Sequence, residues 1–274
     1  MVKVTVSIDD LELVDLSSLG QRNVVMSNVI IRSAQTLSLI EKRILMAAVS
    51  KMEGREVELS AVEYAETYEV DLKNAYQHLK DAVLNLFERY LTVNFKDGKS
   101  TGTMRIRWVS AIGYVDGEGK IKINFSDEVM PQLINLKGQF TTYQLKQAAS
   151  LRSVHSWRLL ELLEQMRQKQ GDGYLMIGID DFHHAMESST SYRANFSLLR
   201  RNVIEPAIKE LNEKDGWAIS YIPLKKGRKV AALRFDFEKD KQLSLLTPED
   251  PSLKNVLKTT GKARNWDENN WIPG

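Results

Sequence analysis

A run of basic residues between positions 193 and 229 is the clearest candidate for chemistry in this sequence, and that chemistry is binding to a polyanion. Nine arginines and lysines stand there against four acidic residues, a net charge of +5, whereas the whole chain of 274 residues carries only +2. The nine are Arg193, Arg200, Arg201, Lys209, Lys214, Lys225, Lys226, Arg228 and Lys229. Positive charge gathered on one segment is what a surface that binds nucleic acid needs.

Polar side chains in the first half of this run have the chemistry to read bases. Phe196, Leu199 and Val203 recur at helical spacing, which predicts an amphipathic helix over residues 191–212. The candidates for DNA contact on this helix are Arg193, Asn195, Ser197, Arg200 and Arg201. An arginine can donate two parallel hydrogen bonds to guanine, which discriminate against other bases by about 1–3 kcal/mol. Arg193 and Asn195 are favoured, because the first turns of such a helix usually reach the bases.

The second half of the run predicts a β-hairpin over residues 217–237 with Lys-Lys-Gly-Arg-Lys at its tip. The cations at the tip are Lys225, Lys226, Arg228 and Lys229. Such residues suit contacts with phosphates or the minor groove, which position a protein on a duplex without reading its sequence. Between helix and hairpin, Pro206 lacks an amide proton and its ring opposes the carbonyl of Asn202. We therefore expect a kink or a helix break there.

The elements that must position this helix and hairpin repeat along the chain. In the first half, Ser38 with Glu41 and Ser60 with Glu63 match the capping box that opens a helix. The patterns predict helices at 38–54, 60–69 and 71–90, and strands at 57–59, 91–95, 103–114 and 120–125. In the second half they predict a helical or partly helical segment at 140–151, a helix at 156–170, a strand at 174–179 and a helix capped by Asp180 or Asp181.

The order helix, strand, helix, helix and β-ribbon therefore occurs twice. We infer the α+β class, with two tandem pseudo-symmetric winged-helix domains. The expected ranges are a leader at 1–26, a first winged helix at 27–138, a second at 139–240 and a C-terminal tail at 241–274. Trp108, Trp157 and Trp217 lie in apolar patterns and are expected in the core. A basic helix face alone is often only solvated surface, but a charged hairpin and a second similar unit favour DNA binding.

The remaining reactive residue types predict no catalytic residue, no metal site and no cofactor. His183 and His184 are adjacent, and on a helix they would point about 100° apart. His78 and His155 are isolated in the sequence, where packing or surface roles are the usual ones. The chain has no histidine pair of the kind that rolling-circle initiators need. The segment Gly98-Lys99-Ser100 lacks the preceding glycine of a phosphate-binding loop.

Composition and hydropathy limit where such a protein works. The chain contains no cysteine, which excludes disulfides and thiolate sites and fits a reducing cytosol. No run approaches the roughly 18 apolar residues of a membrane span. The N-terminal sequence is acidic, unlike a signal peptide. We therefore expect a cytoplasmic protein with no membrane partner.

Four stretches, taken in their order and spacing, resemble the RepA/RepE-type plasmid replication initiators, which are twin winged-helix proteins that bind origin repeats called iterons. They are residues 36–45 (TLSLIEKRIL), 74–76 (NAY) with 86–89 (LFER), 156–163 (SWRLLELL), and 204–212 (IEPAIKELN) leading to 225–228 (KKGR). Together they span residues 27–238. Each stretch is a packing pattern, so the likeness depends on all four together.

The resemblance implies that the second domain reads the major groove of an iteron and that the first contacts the adjoining turn. It places Lys73, Asn74, Gln77 and Lys80 on the first domain's recognition helix, where Asp71 and Asp81 dilute the positive charge. It also implies monomers that initiate replication, and dimers, formed through the first domain, that repress the protein's own gene at an operator inverted repeat. Host replication proteins, such as a helicase and the host initiator, and chaperones are the further partners that it implies.

Two other functions stay open at this point. A transcription regulator would use the same winged helices without an origin, and a lone operator palindrome beside its gene would indicate that role. Iterons beside an AT-rich segment would indicate the initiator. An enzyme that acts on DNA ends would show metal-dependent nicking, and the missing metal site in the sequence argues against it.

Overall fold

The computed structural model describes residues 18–97, 100–115, 117–134, 140–170 and 173–239. The described part of the chain forms two compact units, one made of residues 18–30 and 35–150 and the other of residues 31–34 and 151–239. Each unit packs helices against a three-stranded antiparallel sheet. Most of the expected leader and all of the expected tail, including Trp266 and Trp271, lie outside the described residues.

The first unit contains the helices and strands that the capping boxes and apolar patterns predict. It also contains elements that these patterns do not predict. Its helices are α2 (Leu39–Lys51), α3 (Ala61–Tyr68), α4 (Leu72–Asn85) and α5 (Leu145–Ala149), and the division between the units falls within α1 (Asn28–Arg32). Its strands are β1 (Asn23–Ser27), β2 (Glu56–Ser60), β3 (Tyr90–Asp97), β4 (Ser100–Arg107), β5 (Val109–Val115), β6 (Lys120–Phe125) and β7 (Phe140–Gln144). The sheet order is β2-β6-β5, with β2 between α2 and α3 and the hairpin β5-β6 after α4, which is the arrangement of a winged helix.

Both predicted capping boxes are present. The Ser38 hydroxyl accepts a hydrogen bond from the Glu41 N–H at 3.3 Å, and the Glu41 carboxylate accepts one from the Ser38 N–H at 2.7 Å. Ser60 and Glu63 make the same reciprocal pair at the start of α3. These bonds satisfy amide protons that the first turn of a helix leaves without partners, which is why α2 and α3 begin where the sequence indicates.

The strand predicted at 103–114 is in fact two strands. It breaks at Trp108, whose fully buried indole donates a hydrogen bond to the Gln35 carbonyl. Strand β4 pairs with β3 in a ribbon of its own, whereas β5 joins the winged-helix sheet through β6. Burial of the large Trp108 ring therefore turns the chain from the ribbon into the sheet.

The segment predicted as helical or partly helical at 140–151 begins as a strand. Strand β7 pairs in antiparallel register with β1, which lies partly inside the predicted leader, and only α5 is helical. Of the two predicted alternatives the partly helical one therefore applies, because pairing with β1 keeps Phe140–Gln144 extended. The first unit therefore continues to Ser150.

The second unit repeats the order of elements in the first. Its helices are α6 (Val154–Gln170), α7 (Ile179–Ala185), α8 (Thr190–Ala194), α9 (Phe196–Leu199) and α10 (Glu205–Lys214). Its strands, β8 (Gly173–Gly178), β9 (Trp217–Lys226) and β10 (Lys229–Lys239), pair in the order β8-β10-β9. Helix α7 is capped by Gly178, and Asp180 and Asp181 lie in its first turn, which corrects the predicted aspartate cap. In the first turn their negative charges interact favourably with the positive end of the helix dipole.

The core of the second unit includes a buried arginine. Arg158 is 2% exposed and pairs with the fully buried Glu161 at 2.6 Å. Its other donors reach the carbonyls of Ile31, Ser33 and Ala185. The predicted core tryptophans, Trp108, Trp157 and Trp217, are all buried. None of the helices in the described ranges is both long and apolar enough to cross a membrane.

Candidate nucleic-acid interface

The basic helix of the second unit is not the continuous helix predicted over 191–212. Asn195 has an extended backbone, with φ −136° and ψ 99°, and it ends α8. Its side-chain oxygen then caps α9 by accepting hydrogen bonds from the N–H groups of Ser197 and Leu198 at 3.0 and 3.3 Å. The apolar pattern is compatible with one long helix, so the break depends on the capping preference of asparagine.

A π turn separates α9 from α10. It spans Arg200–Ile204, and the Glu205 N–H donates to the carbonyl of Arg200, five positions earlier. Pro206 lies in the first turn of α10. The predicted irregularity is therefore present, but the chain stays helical and the widened turn precedes the proline. Because Pro206 has no proton for the Asn202 carbonyl, a regular α pattern would lose a bond at this point.

The inward and outward faces of these helices are as predicted. Leu199, Val203, Ala207 and Leu211 are buried, and the five candidates for DNA contact are exposed. Three of them already use side-chain atoms in local hydrogen bonds. The Arg193 Nε donates to the Ser188 carbonyl at 3.2 Å, the Arg201 Nε approaches the side-chain oxygen of Asn202 at 3.4 Å, and Asn195 uses its oxygen as the cap.

The wing of the second unit presents its cations to solvent. Strands β9 and β10 turn at Gly227, whose φ of +63° favours glycine, and a bulge near Ala231 interrupts their register. Lys225, Lys226, Arg228 and Lys229 are exposed, and none of them has a salt bridge to a carboxylate within the described residues. These cations are therefore available to a polyanion.

Buried polar contacts fix the base of this wing. The Lys239 ammonium donates to Asp215 at 2.7 Å, and the Trp217 indole donates to the same carboxylate at 2.9 Å. Burial raises the pKa of Asp215, although Lys239 opposes the shift. Asn212 at the end of α10 exchanges two hydrogen bonds with the backbone of Ile219 in β9. The wing is thus held to the helix that precedes it.

Polar candidates on α4, the recognition helix of the first unit, contact other residues of the same unit. Asp71 caps it, and its polar candidates, Lys73, Asn74, Gln77 and Lys80, are exposed. Gln77 donates to Asp81 at 2.8 Å, and the Lys80 ammonium lies 5.2 Å from the centre of the Tyr114 ring in β5. Two of the four candidates therefore have partners inside the unit.

The wing of the first unit differs from that of the second. Lys120 pairs with Glu118 at 3.1 Å, and Lys122 pairs with Glu58 at 2.9 Å. The hydrogen bond from Lys122 lowers the pKa of Glu58. The Tyr76 ring of α4 lies so close to Gly119 in the wing turn that any side chain there would collide with it. The helix and wing pack together, and the two lysines of the wing are paired with carboxylates.

Two family models match this chain, and each describes a winged-helix domain of a replication initiator. The model described as Initiator Replication protein, WH1, matches residues 23–164, and that described as Initiator Rep protein, WH2, matches residues 178–237. Together they cover well over half of the sequence. The chain belongs to the initiator replication protein family. The chain therefore has the two winged helices that the repeated pattern predicts.

Two relatives of this chain are proteins of Escherichia coli. The chain is 28% identical to a "Replication initiation protein" over 209 residues, which are 76% of this chain and 63% of that protein. The chain thus spans just under two thirds of that relative. It is 24% identical to the "PI protein" over 242 residues, covering 74% of this chain and 78% of the relative. Both identities are low, so individual contact residues are not transferred from them.

A solved structure shares the fold. The crystal structure of the Pi initiator protein in complex with iteron DNA matches with a TM-score of 0.67 at 20% identity, covering 81% of this chain and 99% of that one. At this identity the likeness shows the fold alone. The tandem winged-helix architecture predicted from the sequence is confirmed.

The structure also identifies neighbours of the candidate site that the sequence does not indicate. The Arg200 Nε lies 3.6 Å from a Glu205 carboxylate oxygen. Burial and then the charge of Glu205 raise the pKa of Tyr221 in β9, whereas the charge of Arg200 lowers it. Residues five positions apart do not face each other in an α-helix, so no helical pattern suggests this pair. His183 is buried in α7, where burial and then the charge of Arg193 lower its pKa. Within the described ranges no group of three or more acidic or histidine residues could hold a metal.

Proposed function

We propose that this protein is a plasmid replication initiator that binds iterons sequence-specifically through its two winged helices and has no catalysis of its own. It recruits host replication proteins to the origin, and as a dimer it represses its own gene at an inverted repeat. The proposal rests on the exposed wing cations of the second unit, which pair with no carboxylate of the described residues and lie next to an exposed helix face with arginines. Such a surface binds duplex DNA.

The second unit is the main reader in this proposal. Arg193, Arg200 and Arg201 supply donors that can bond guanine in the major groove. The wing residues Lys225, Lys226, Arg228 and Lys229 clamp phosphates. Asn195 retains only its amide protons for a base, because its oxygen caps α9. We therefore place base reading on Arg200 and Arg201 ahead of Asn195.

The first unit contacts the adjoining turn of DNA more weakly. Lys73 and Asn74 are the candidates on its recognition helix that lie exposed and contact neither a carboxylate nor an aromatic ring within the described residues. The paired cations of its wing contribute little, because an exchange of carboxylate for phosphate gains little free energy. Its contact is expected to orient the protein rather than to read sequence.

The ribbon of the first unit is the surface that we assign to self-association. On one face Val93 lies opposite Met104 and Phe95 opposite Gly102, and Phe95 and Met104 are 42% and 51% exposed. The other face is polar, with Thr103 bonded to Asn94. In the described residues β3 and β4 pair only with each other. An exposed ribbon with an apolar face and open edges is a template for pairing with a second copy.

A mobility-shift assay with direct repeats from the origin that flanks the gene tests the DNA-binding part. We expect tighter binding to these repeats than to scrambled duplex at physiological salt. Arg200→Ala should reduce this preference, whereas Lys226→Ala should weaken binding to all DNA and flatten the salt dependence by about one unit. Equal affinity for repeats and scrambled DNA would contradict the proposal, and tight binding to a lone palindrome alone would favour a transcription regulator.

Mass measurement by light scattering, with and without DNA, tests the self-association part. Met104→Lys puts a charge on the apolar face and should leave only monomers. Thr103→Lys, the neighbouring residue on the polar face, is the matched control and should still form dimers. Dimers that survive Met104→Lys would show that another surface joins the copies.

A further inference from the structure

The π turn of the second unit brings together two opposite charges that an α-helix would separate. Arg200 and Glu205 are five positions apart, which places residues about 140° apart around an α-helix. In the π turn the Glu205 N–H bonds to the Arg200 carbonyl, so the two residues stack. The Arg200 Nε lies 3.6 Å from a Glu205 carboxylate oxygen, and both side chains remain about half exposed.

Tyr221 in the wing strand β9 lies near the same pair. Burial, and then the charge of Glu205, raise the pKa of the Tyr221 hydroxyl, whereas Arg200 lowers it. The hydroxyl therefore stays neutral at physiological pH. The Arg200–Glu205 pair is thus adjacent to both the recognition helix and the wing, where a bound duplex has to pass.

Other cations near the candidate interface are held differently. Arg201 contacts the neutral side chain of Asn202. Lys209 pairs with Glu213, but both lie in α10, beyond the π turn. Arg200 is therefore a candidate base reader that must leave a carboxylate before it can bind DNA.

We propose that Glu205 is a specificity-determining residue that acts through Arg200, an inference that rests on the proposed function. On the wrong sequence, Arg200 stays beside Glu205, because exchanging the carboxylate for a phosphate gains little free energy, and the phosphate contact that an arginine without this neighbour would make is not made. On the right sequence, two parallel bonds to guanine compensate for leaving Glu205. Glu205 thus weakens binding to wrong DNA more than to right DNA, which is discrimination by repulsion.

The test uses the intact chain and a duplex selected from a randomised library by the wild-type protein, together with a scrambled duplex. Glu205→Gln should raise affinity for the scrambled duplex about three- to tenfold and leave that for the selected duplex within about twofold. It should flatten preference at the same base positions as Arg200→Ala. Glu213→Gln, which removes a carboxylate from the same helix, is the matched control and should change no base preference. Thermal unfolding checks that each variant is folded.

A double variant separates this inference from a general charge effect. In the Arg200→Ala background, Glu205→Gln should no longer change the ratio of the two affinities. If Glu205→Gln raises the affinity for both duplexes by the same factor, Glu205 acts only as a surface charge and the inference is wrong. The same holds if Glu205→Gln still changes the ratio of the affinities in the Arg200→Ala background. If the library yields no preferred duplex for the wild type, the proposed function fails as well, and the two failures are therefore distinguishable.

Discussion

The two helix-and-wing regions of this protein have the same topology but use their charges differently. Each of the two three-stranded sheets places its own last strand between the other two, in the orders β2-β6-β5 and β8-β10-β9. In the first unit, Lys120 and Lys122 of the wing each hold a glutamate. In the second unit, the four wing cations carry no such pair within the described residues.

Because of this difference, we expect the two units to bind DNA unequally although their topology is the same. The winged helix places a helix and a hairpin where they can touch a duplex. Whether a cation there adds affinity depends on whether it already holds a carboxylate, since such a cation only exchanges one partner for another. The first unit is therefore expected to orient the protein, and the second to supply most of the binding free energy.

Removal of the wing cations tests this comparison with the largest expected effect. Alanine at Lys225, Lys226, Arg228 and Lys229 should weaken binding to any duplex by about 100-fold or more at physiological salt, and it should reduce the salt slope by about 3 units. The matched variant of the first unit carries alanine at Lys73, Lys80, Lys120 and Lys122. It should lose less than about tenfold, because most of these cations have partners.

Fluorescence anisotropy of a labelled duplex over a range of salt concentrations measures both variants. If the two variants lose affinity by a similar factor, the comparison is contradicted. The cations of the first unit that have partners would then bind DNA as strongly as the wing cations of the second unit. Thermal unfolding is the control, since exposed lysine and arginine replacements should leave stability nearly unchanged.

Features that depend on a few neighbouring residues were predicted well from the sequence. The capping boxes at Ser38 and Ser60 involve bonds within four residues, and a local pattern is enough to identify them. The turn at Gly227 between two lysine-rich strand ends is equally local. Repetition of such elements in one order indicated two winged helices, and the fold agrees.

Features that depend on distant pairing or on a change of hydrogen-bond pattern were missed. Strand β7 is stabilised by β1, more than a hundred positions away in the chain, so its own composition could not exclude a helix. The break at Trp108 depends on burial of the ring against Gln35. The π turn keeps the same inward stripe as an α-helix, and the Arg200–Glu205 pair was therefore not visible in the pattern. The roles of individual candidates in DNA binding stay predictions.

The two N-terminal caps offer a finer test of the comparison. Asn195→Ala and Asp71→Ala each remove a cap, from α9 and α4, and each should lower the free energy of unfolding by about 1 kcal/mol. Their effects on DNA should be opposite. Asn195→Ala loosens the helix that carries Arg200, so sequence preference should fall, whereas Asp71→Ala removes a negative charge, so affinity should rise slightly.

Urea unfolding and anisotropy on the same preparations measure these effects. Asp81→Asn serves as the control for charge, because Asp81 is not the cap of α4 and its loss should raise affinity without a capping cost. Reduced affinity in Asp71→Ala would contradict the view that the first recognition helix is limited by its own acidic residues.

Acidification should change the free energy of unfolding least among these tests, and it should destabilise the second unit more than the first. Burial lowers the pKa of His78 in the first unit, with Arg43 adding to the shift, and it lowers the pKa of His155 and His183 in the second. Each folded pKa lies below the unfolded value of about 6.5, so the unfolded chain takes up protons first. Stability is therefore complete above that value and falls as the pH drops through it.

Urea unfolding at pH 7.5 and pH 5.5 tests this expectation in three chains: the wild type, His78→Gln, and His155→Gln with His183→Gln. The double variant should remove more of the pH-dependent loss than the single variant, because two of the three shifted histidines lie in the second unit. The difference between the two pH values is the quantity to compare, since each substitution also changes packing at both. If His78→Gln removes more of the pH-dependent loss than the double variant, acid destabilises the first unit more than the second, which is the opposite of this expectation.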